Sequence, residues 1–139
     1  MQNKNLVGKD VLYPELSYQV MQAVFEVHNH LGPGFTEDIY ESALAIELES
    51  HGIPFERQKQ IQVHYKDPFV GTYRLNMVID GKIILELKAV TVLNDVFRAQ
   101  LHSYLSATNL QLGILINFGT KLAQSFRIPN TKNRSPNSQ

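Results

Sequence analysis

A run of residues near the middle of the chain, Ile83-Ile84-Leu85-Glu86-Leu87-Lys88-Ala89-Val90, is apolar except for one acid and one base. This composition is typical of a strand that is buried on one or both faces. Side chains alternate along a strand, so Glu86 and Lys88 share one side of the sheet. Opposite charges on a mostly buried strand must be paired, bound to an ion or used in chemistry. The run is therefore the clearest indication of function in the sequence.

The size and composition of the chain limit its class. A length of 139 residues predicts one domain. The absence of cysteine excludes a disulfide scaffold, thiolate metal sites and a cysteine nucleophile. Thirteen basic and thirteen acidic residues give no net charge, so a phosphate-binding surface would have to be local. No apolar run approaches the roughly 20 residues of a membrane span, and the polar start does not resemble a signal peptide. We expect a soluble, intracellular and cytoplasmic protein.

Apolar periodicity and chain-breaking residues predict the order helix, helix, three strands, helix, strand, with a further short strand near the end. The predicted helices cover 15–31, 36–51 and 94–108, and the predicted strands cover 55–65, 72–79, 82–90, 112–118 and 126–128. This order predicts an α/β domain with a mixed sheet. We expect a loose lead-in at 1–14, the domain at 15–128 and a disordered tail at 129–139.

The second predicted helix has an N-cap residue and an apolar stripe. Thr36 is the expected N-cap of the second helix. The expected core stripe of that helix comprises Ile39, Tyr40, Ala43, Leu44, Ile46 and Leu48.

Asp80-Gly81 between two predicted strands is typical of a β-hairpin, and its loop length decides which side chains meet. A two-residue loop would place Glu86 and Lys88 on the face of Tyr73, Leu75 and Met77. A three-residue loop over 79–81 shifts the register by one and separates polar from apolar side chains. We prefer the second arrangement. Its apolar face carries Tyr73, Leu75, Met77, Ile83, Leu85 and Leu87, and its polar cluster contains Arg74, Asn76, Glu86 and Lys88.

A strand that ends in Glu-x-Lys and follows a hairpin strand resembles the PD-(D/E)XK nuclease superfamily, and more closely its GxxExxY family. The segment Gly34-Phe35-Thr36-Glu37-Asp38-Ile39-Tyr40 fits that motif in full. Three further segments are typical of the family, namely 26–33, 53–58 and Leu115-Ile116-Asn117-Phe118. The resemblance spans about residues 15–128. It implies a restriction-endonuclease-like core of helix, three strands, helix and strand, with the mixed sheet flanked by helices.

The resemblance also implies roles for individual residues. In the superfamily two carboxylates hold Mg²⁺, with Mn²⁺ as a substitute, and a lysine assists the attacking water. By position, Glu86 is the second acid, Lys88 is the lysine and Glu37 matches the first-helix glutamate. Gln100 and Tyr104 match a Gln-x-x-x-Tyr motif of the RecB-like branch. The expected partner is nucleic acid, with DNA preferred, the expected setting excludes a membrane, and a homodimer stays open.

Asn76 is the departure from the family pattern, which reads Arg-x-Asp where this chain has Arg74-Leu75-Asn76. Asparagine offers a neutral carbonyl oxygen in place of a charged one. Mg²⁺ is usually held by one or two carboxylates together with water and phosphate. With Glu86, Asn76 and Glu37 as metal ligands we therefore expect weak metal binding and impaired catalysis. The alternative is a non-catalytic nucleic-acid-binding or protein-interaction module that retains the fold.

Several of these residues also have an ordinary structural interpretation. Glu37 could simply be a first-turn acid that interacts favourably with the helix dipole. Tyr104 could pack in the core with its hydroxyl satisfied, which leaves Gln100 as the better candidate for contacting nucleic acid or the site. Arg74 could hold a phosphate or neutralise Glu86.

Overall fold

A computed structural model describes residues 12–131 of the chain. Over this range the order of elements is helix, helix, three strands, helix and two strands. The elements are α1 (Pro14–Leu31), α2 (Glu37–Ser50), β1 (Phe55–His64), β2 (Phe69–Ile79), β3 (Ile83–Lys88), α3 (Asp95–Thr108), β4 (Leu112–Asn117) and β5 (Gln124–Pro129). The strands form one sheet in the order β1-β2-β3-β4-β5. β3 and β4 are parallel and the other neighbours are antiparallel. The predicted α/β fold with a mixed sheet flanked by helices is confirmed.

The hairpin between β2 and β3 has a three-residue loop, but it covers 80–82 and not 79–81. Ile79 pairs with Ile83, and Met77 pairs with Leu85. Both loops are odd in length, so the predicted alternation of faces along β3 is retained. The strands have slipped by two residues relative to the prediction. In this register Asn76, and not Arg74, comes level with Glu86.

The sheet separates two hydrophobic clusters. One cluster lies against α1 and α2 and contains Met77, Ile83, Leu85 and Leu87. The other lies against α3 and contains Leu75, Val78, Ile84, Leu101, Tyr104 and Leu105. Central strands buried on both faces require apolar side chains at successive positions, which explains the continuous apolar run of β3.

The predicted single apolar face of β2 is wrong at its outer end. Met77 packs towards α1 and α2, whereas Leu75 packs towards α3 and the Tyr73 ring stacks on Tyr104 of α3. The reason is a kink in the neighbouring strand. Gln58 has a φ of 50°, and the regular pairing of β1 with β2 is interrupted opposite Asn76. The β1–β2 hairpin therefore changes the side on which it is buried at this level.

Helix α2 begins after Thr36, which occupies the N-cap position as predicted. Its hydroxyl donates to the Asp38 carboxylate and accepts no hydrogen bond from a backbone N–H of the helix. The buried stripe differs from the prediction. Ile39 and Ile46 are exposed, and Glu41 is buried in the stripe. The buried residues of α2 are Tyr40, Glu41, Leu44, Ala45 and Leu48.

The predicted first helix (15–31) and last strand (126–128) agree with α1 and β5 to within two residues. α1 begins at Pro14, and β5 extends to Pro129 with Asn130 buried behind it. The rest of the predicted lead-in and tail, residues 1–11 and 132–139, lies outside the described residues. Within residues 12–131 no helix has the length and apolar character needed to cross a membrane.

Candidate active site

Glu86 lies near the carboxyl end of β3 and is only 6% exposed. Loss of hydration on burial raises the pKa of Glu86 to about 7, against an ordinary value of 4.5. The positive charge of Lys88 and the backbone N–H of Asn76 lower the pKa, and the charges of Glu37 and Glu41 raise it. Within residues 12–131 its buried Oε2 has no hydrogen-bond partner. A buried carboxylate with an unsatisfied oxygen is unusual in a folded domain and is typical of functional sites.

Lys88 ends β3 on the same side of the sheet as Glu86. Its Nζ lies 4.3 Å from the centre of the Phe97 ring of α3, a cation–π contact. Among the described residues it forms no ion pair with Glu86, although its charge acts on that carboxyl. The ammonium is half-buried and keeps its three donors available. The sequence prediction of a shared side for acid and base therefore agrees with the geometry.

The backbone after Lys88 is fixed by β4. The Asn117 side chain is fully buried, accepts hydrogen bonds from the N–H groups of Val90 and Gly119 at 3.0 Å, and donates to the Val90 carbonyl at 2.9 Å. The N–H of Phe118 donates to the Lys88 carbonyl at 2.8 Å. These bonds hold the chain where it leaves β3, so the position of Lys88 is set from outside the site.

Asn76 occupies the point where the pairing of β2 with β3 stops. Its Oδ1 accepts a hydrogen bond from the Leu87 N–H at 2.8 Å, in place of a backbone partner. Its Nδ2 donates to Glu41 Oε1 at 3.3 Å. Its backbone N–H lies close enough to the Glu86 carboxyl to lower the pKa of that group. Asn76 thus bonds directly to Glu41, and its amide oxygen already carries one hydrogen bond.

Glu41 is a site residue that the sequence analysis missed. It is 4% exposed and accepts hydrogen bonds from Arg57 Nε at 2.9 Å and Gln58 Nε2 at 2.8 Å, besides that from Asn76. The kinked backbone at Gln58 allows the Gln58 side chain to point from β1 towards α2. One sequence pattern could have found Glu41. It lies between Tyr40 and Leu44 on the apolar stripe and one turn after Glu37, so it must face inwards.

Glu37 opens α2 and lies four residues before Glu41. The chain before it is held by Tyr40, whose hydroxyl donates to the Gly32 carbonyl and accepts from the Phe35 N–H at 3.2 Å. The Tyr40 ring is buried and stacks on Phe118 at a centroid distance of 4.4 Å. The tyrosine of the motif is therefore a core residue, as predicted, and it fixes the turn that presents Glu37.

An open cleft of about 600 Å³ lies in front of these groups. We name it the acidic cleft, and its lining comprises Phe35, Thr36, Glu37, Asp38, Glu41, Gln58, Asn76 and Ala89. Glu86 is not part of this lining and is only 6% exposed. The cleft thus brings Glu37 and Asn76 together. The charge of Glu37 also raises the pKa of Glu86, so the acidic cleft and the buried Glu86 carboxyl influence each other.

The three predicted substrate-binding residues lie apart from the acidic cleft. Arg74 is exposed on β2, and Gln100 is half-buried on α3. Tyr104 is 9% exposed, and its ring stacks on Tyr73 at a centroid distance of 4.2 Å. Burial and the hydrogen bond with Tyr73 raise the pKa of Tyr104, and the charge of Glu86 adds to this. Tyr104 therefore combines a packing role with a hydroxyl on the Glu86 side of the sheet.

The divalent cation expected from the sequence fits these residues in part. Glu86 offers a buried anionic oxygen that no other described group uses. Mg²⁺ requires only one or two carboxylates when water and phosphate complete its octahedron. Within residues 12–131, however, no three His, Cys, Asp or Glu side chains are grouped closely enough to hold a metal ion by themselves. The donor set suits a weakly held cation.

Comparisons with known proteins agree with this geometry. A model of the PD-(D/E)XK nuclease superfamily matches residues 14–128. Among curated proteins there is no match. The crystal structure of SSO0001 is similar with a TM-score of 0.50 at 20% identity, which supports the fold alone. That alignment covers 90% of this chain and 61% of the other, so the chain spans less than two thirds of that protein's length. The match over most of its length shows that the chain belongs to the PD-(D/E)XK nuclease superfamily.

Proposed function

We propose that the protein is a divalent-metal-dependent nuclease of the GxxExxY family that hydrolyses phosphodiester bonds of DNA with impaired efficiency. The observation that supports this most is the buried, unsatisfied Glu86 carboxylate beside Lys88 at the end of β3. Burial of an acid without a partner costs stability, so a ligand that uses it is the natural explanation.

The proposed chemistry divides the work among the residues of the site. Bound Mg²⁺ or Mn²⁺ would supply Lewis acidity towards a phosphoryl oxygen and towards water. Glu86 would hold the ion, with Glu37 and the Asn76 carbonyl as weaker contributors. Lys88, whose ammonium is placed by Phe97, would orient the attacking water or stabilise charge on the phosphate. Arg74 and Gln100 would contact the nucleic acid next to the site, and Tyr104 would support Glu86.

The reduced efficiency follows from Asn76. Its amide oxygen accepts from Leu87 and its amide nitrogen donates to Glu41, so it contributes neither a charge nor a free oxygen comparable to aspartate. The same observation favours a second candidate function, a nucleic-acid-binding module that kept the fold and lost hydrolysis. The two candidates differ in whether Lys88 is needed for turnover.

The test is cleavage of labelled single- and double-stranded DNA in Mg²⁺ or Mn²⁺. We expect slow cleavage by the natural chain and its loss in Lys88→Ala. Lys82→Ala is the matched control, because Lys82 is an exposed lysine in the hairpin loop that pairs with Asp80. Cleavage that appears only in Asn76→Asp would overturn activity of the natural chain and support a decayed site. DNA binding without cleavage in every variant would establish the binding module instead.

A further inference from the structure

The contacts of Glu41 on α2 indicate that this residue can act as the metal ligand that the family pattern places at position 76 of β2. We propose that Glu41 of α2 supplies the second carboxylate for the divalent cation of this site, in place of the acid that is absent at position 76. The main role of Asn76 is then to position Glu41, and any contribution of its carbonyl to the cation is secondary. This inference rests on the proposed function, because it concerns the same cation.

The location of Glu41 supports this assignment. The Asn76 side chain donates through Nδ2 to Glu41 Oε1 and accepts through Oδ1 from the N–H of Leu87, the residue next to Glu86. The amide of Asn76 therefore connects Glu41 to the segment of β3 that carries Glu86. Glu41 also lines the acidic cleft, whereas the Oε2 atom of Glu86 is buried and has no hydrogen-bond partner among the described residues. A cation between them would use the Oε2 atom of Glu86 and the remaining lone pair of the Glu41 carboxylate.

The chemistry of Asn76 also supports a carboxylate ligand at Glu41. An asparagine amide can donate to Glu41 and accept from the Leu87 N–H at the same time. An aspartate there would keep the second bond, lose the first and bring a third carboxylate next to Glu41 and Glu86. Like charges at such short range disfavour each other. Asparagine at 76 is thus matched to a glutamate at 41, and the site keeps two carboxylates.

Glu41 retains hydrogen-bonding capacity that a cation could use. A carboxylate has about four lone-pair sites, and Arg57, Gln58 and Asn76 use three of them. The Arg57 side chain is 42% exposed, so solvent weakens its hold on the charge. The alternative is that Glu41 only ties α2 to β1 through Arg57. In that case its replacement would change stability and leave metal affinity unchanged.

Titration calorimetry of Mn²⁺ into the full chain separates these roles. We expect Glu41→Gln to weaken Mn²⁺ binding by about tenfold or more, the range seen when groups that support a metal are removed. Combining it with Asn76→Asp should restore most of the affinity, because the second charge returns to the strand. Glu49→Gln, an exposed change on the same helix, should bind as the natural chain does. Thermal unfolding of each variant verifies that it is folded.

The outcomes distinguish this inference from the proposed function. If Glu86→Gln abolishes binding while Glu41→Gln does not alter it, Glu41 is structural and the cation site at Glu86 stands. If Mn²⁺ binds only to proteins that carry Asn76→Asp, the second ligand belongs at position 76 and the inference is wrong. If no folded variant binds Mn²⁺, both the inference and a metal-dependent nuclease are overturned.

Discussion

The buried charge of Glu86 should make the stability of the fold depend on pH in a defined direction. Its pKa is about 7 in the folded protein, against 4.5 as the ordinary value of a glutamate. Between these values the native state holds a proton that the unfolded state has released, so the free energy of unfolding falls as pH rises. The contribution is fully present below pH 4.5 and is lost as pH rises through 7. A shift of this size corresponds to about 3 kcal/mol.

Glu86→Gln isolates this contribution. Glutamine keeps an oxygen for the Asn76 N–H but does not ionise. The difference in unfolding free energy between the variant and the natural chain should change by about 3 kcal/mol in favour of the variant from pH 4.5 to 8. This change is expected whatever the difference between the two proteins is at low pH. Urea unfolding followed by circular dichroism, in the presence of a chelator, measures the difference at each pH. Most other titrating groups are common to both proteins and cancel.

Glu49→Gln serves as the control, because it removes the same formal charge from an exposed position. It reports any change that comes from net charge alone. A constant difference between Glu86→Gln and the natural chain from pH 4.5 to 8 would refute the reasoning, since it would mean that Glu86 ionises as freely in the folded as in the unfolded state. A difference that shrinks with pH would refute its sign.

Three further predictions concern substitutions that disturb the backbone in or near the site, and all are measured as the free energy of urea unfolding at pH 7. Tyr40→Phe removes both hydrogen bonds to the turn before α2 and should cost about 1–2 kcal/mol; an unchanged value would mean that the turn is held without the hydroxyl. Gly119→Ala should cost about 3 kcal/mol, because a Cβ there would lie 2.3 Å from the Val90 carbonyl oxygen, which is backbone and cannot yield. Gly113→Ala should cost less, because its added methyl meets the Leu101 side chain at 2.8 Å; equal costs would contradict this ranking.

The sequence was sufficient for the elements and for the acid and base of β3, because both depend on periodicity. The apolar run around Glu86 predicted a strand buried on one or both faces, and its alternation placed Lys88 on the same side as Glu86. An odd loop length was enough to put residue 76 on that side as well, although the loop lies one residue later than predicted.

The remaining features depend on long-range contacts that periodicity does not record. The kink at Gln58 is a positive φ at a residue that seldom adopts one, so its composition gave no indication of it. Its effect was to turn Leu75 and Tyr73 towards α3. Glu41 was missed because an acid in an amphipathic helix is normally assigned to solvent. Its partners Arg57 and Gln58 come from a strand, and only the folded chain brings them to it.

The buried face of the β1–β2 hairpin changes at the level of Gln58, and this divides the hairpin into an inner and an outer part. Inwards of the kink, pairs such as Arg57 with Met77 belong to the part of the sheet that carries the candidate site. Outwards, beyond the pair Ile61 with Tyr73, the two strands are largely open to solvent. Lengthening or trimming that outer arm by whole cross-strand pairs would leave the register of the inner part untouched. Evolution, or an engineer, can therefore alter what this arm reaches without disturbing the candidate site at its base.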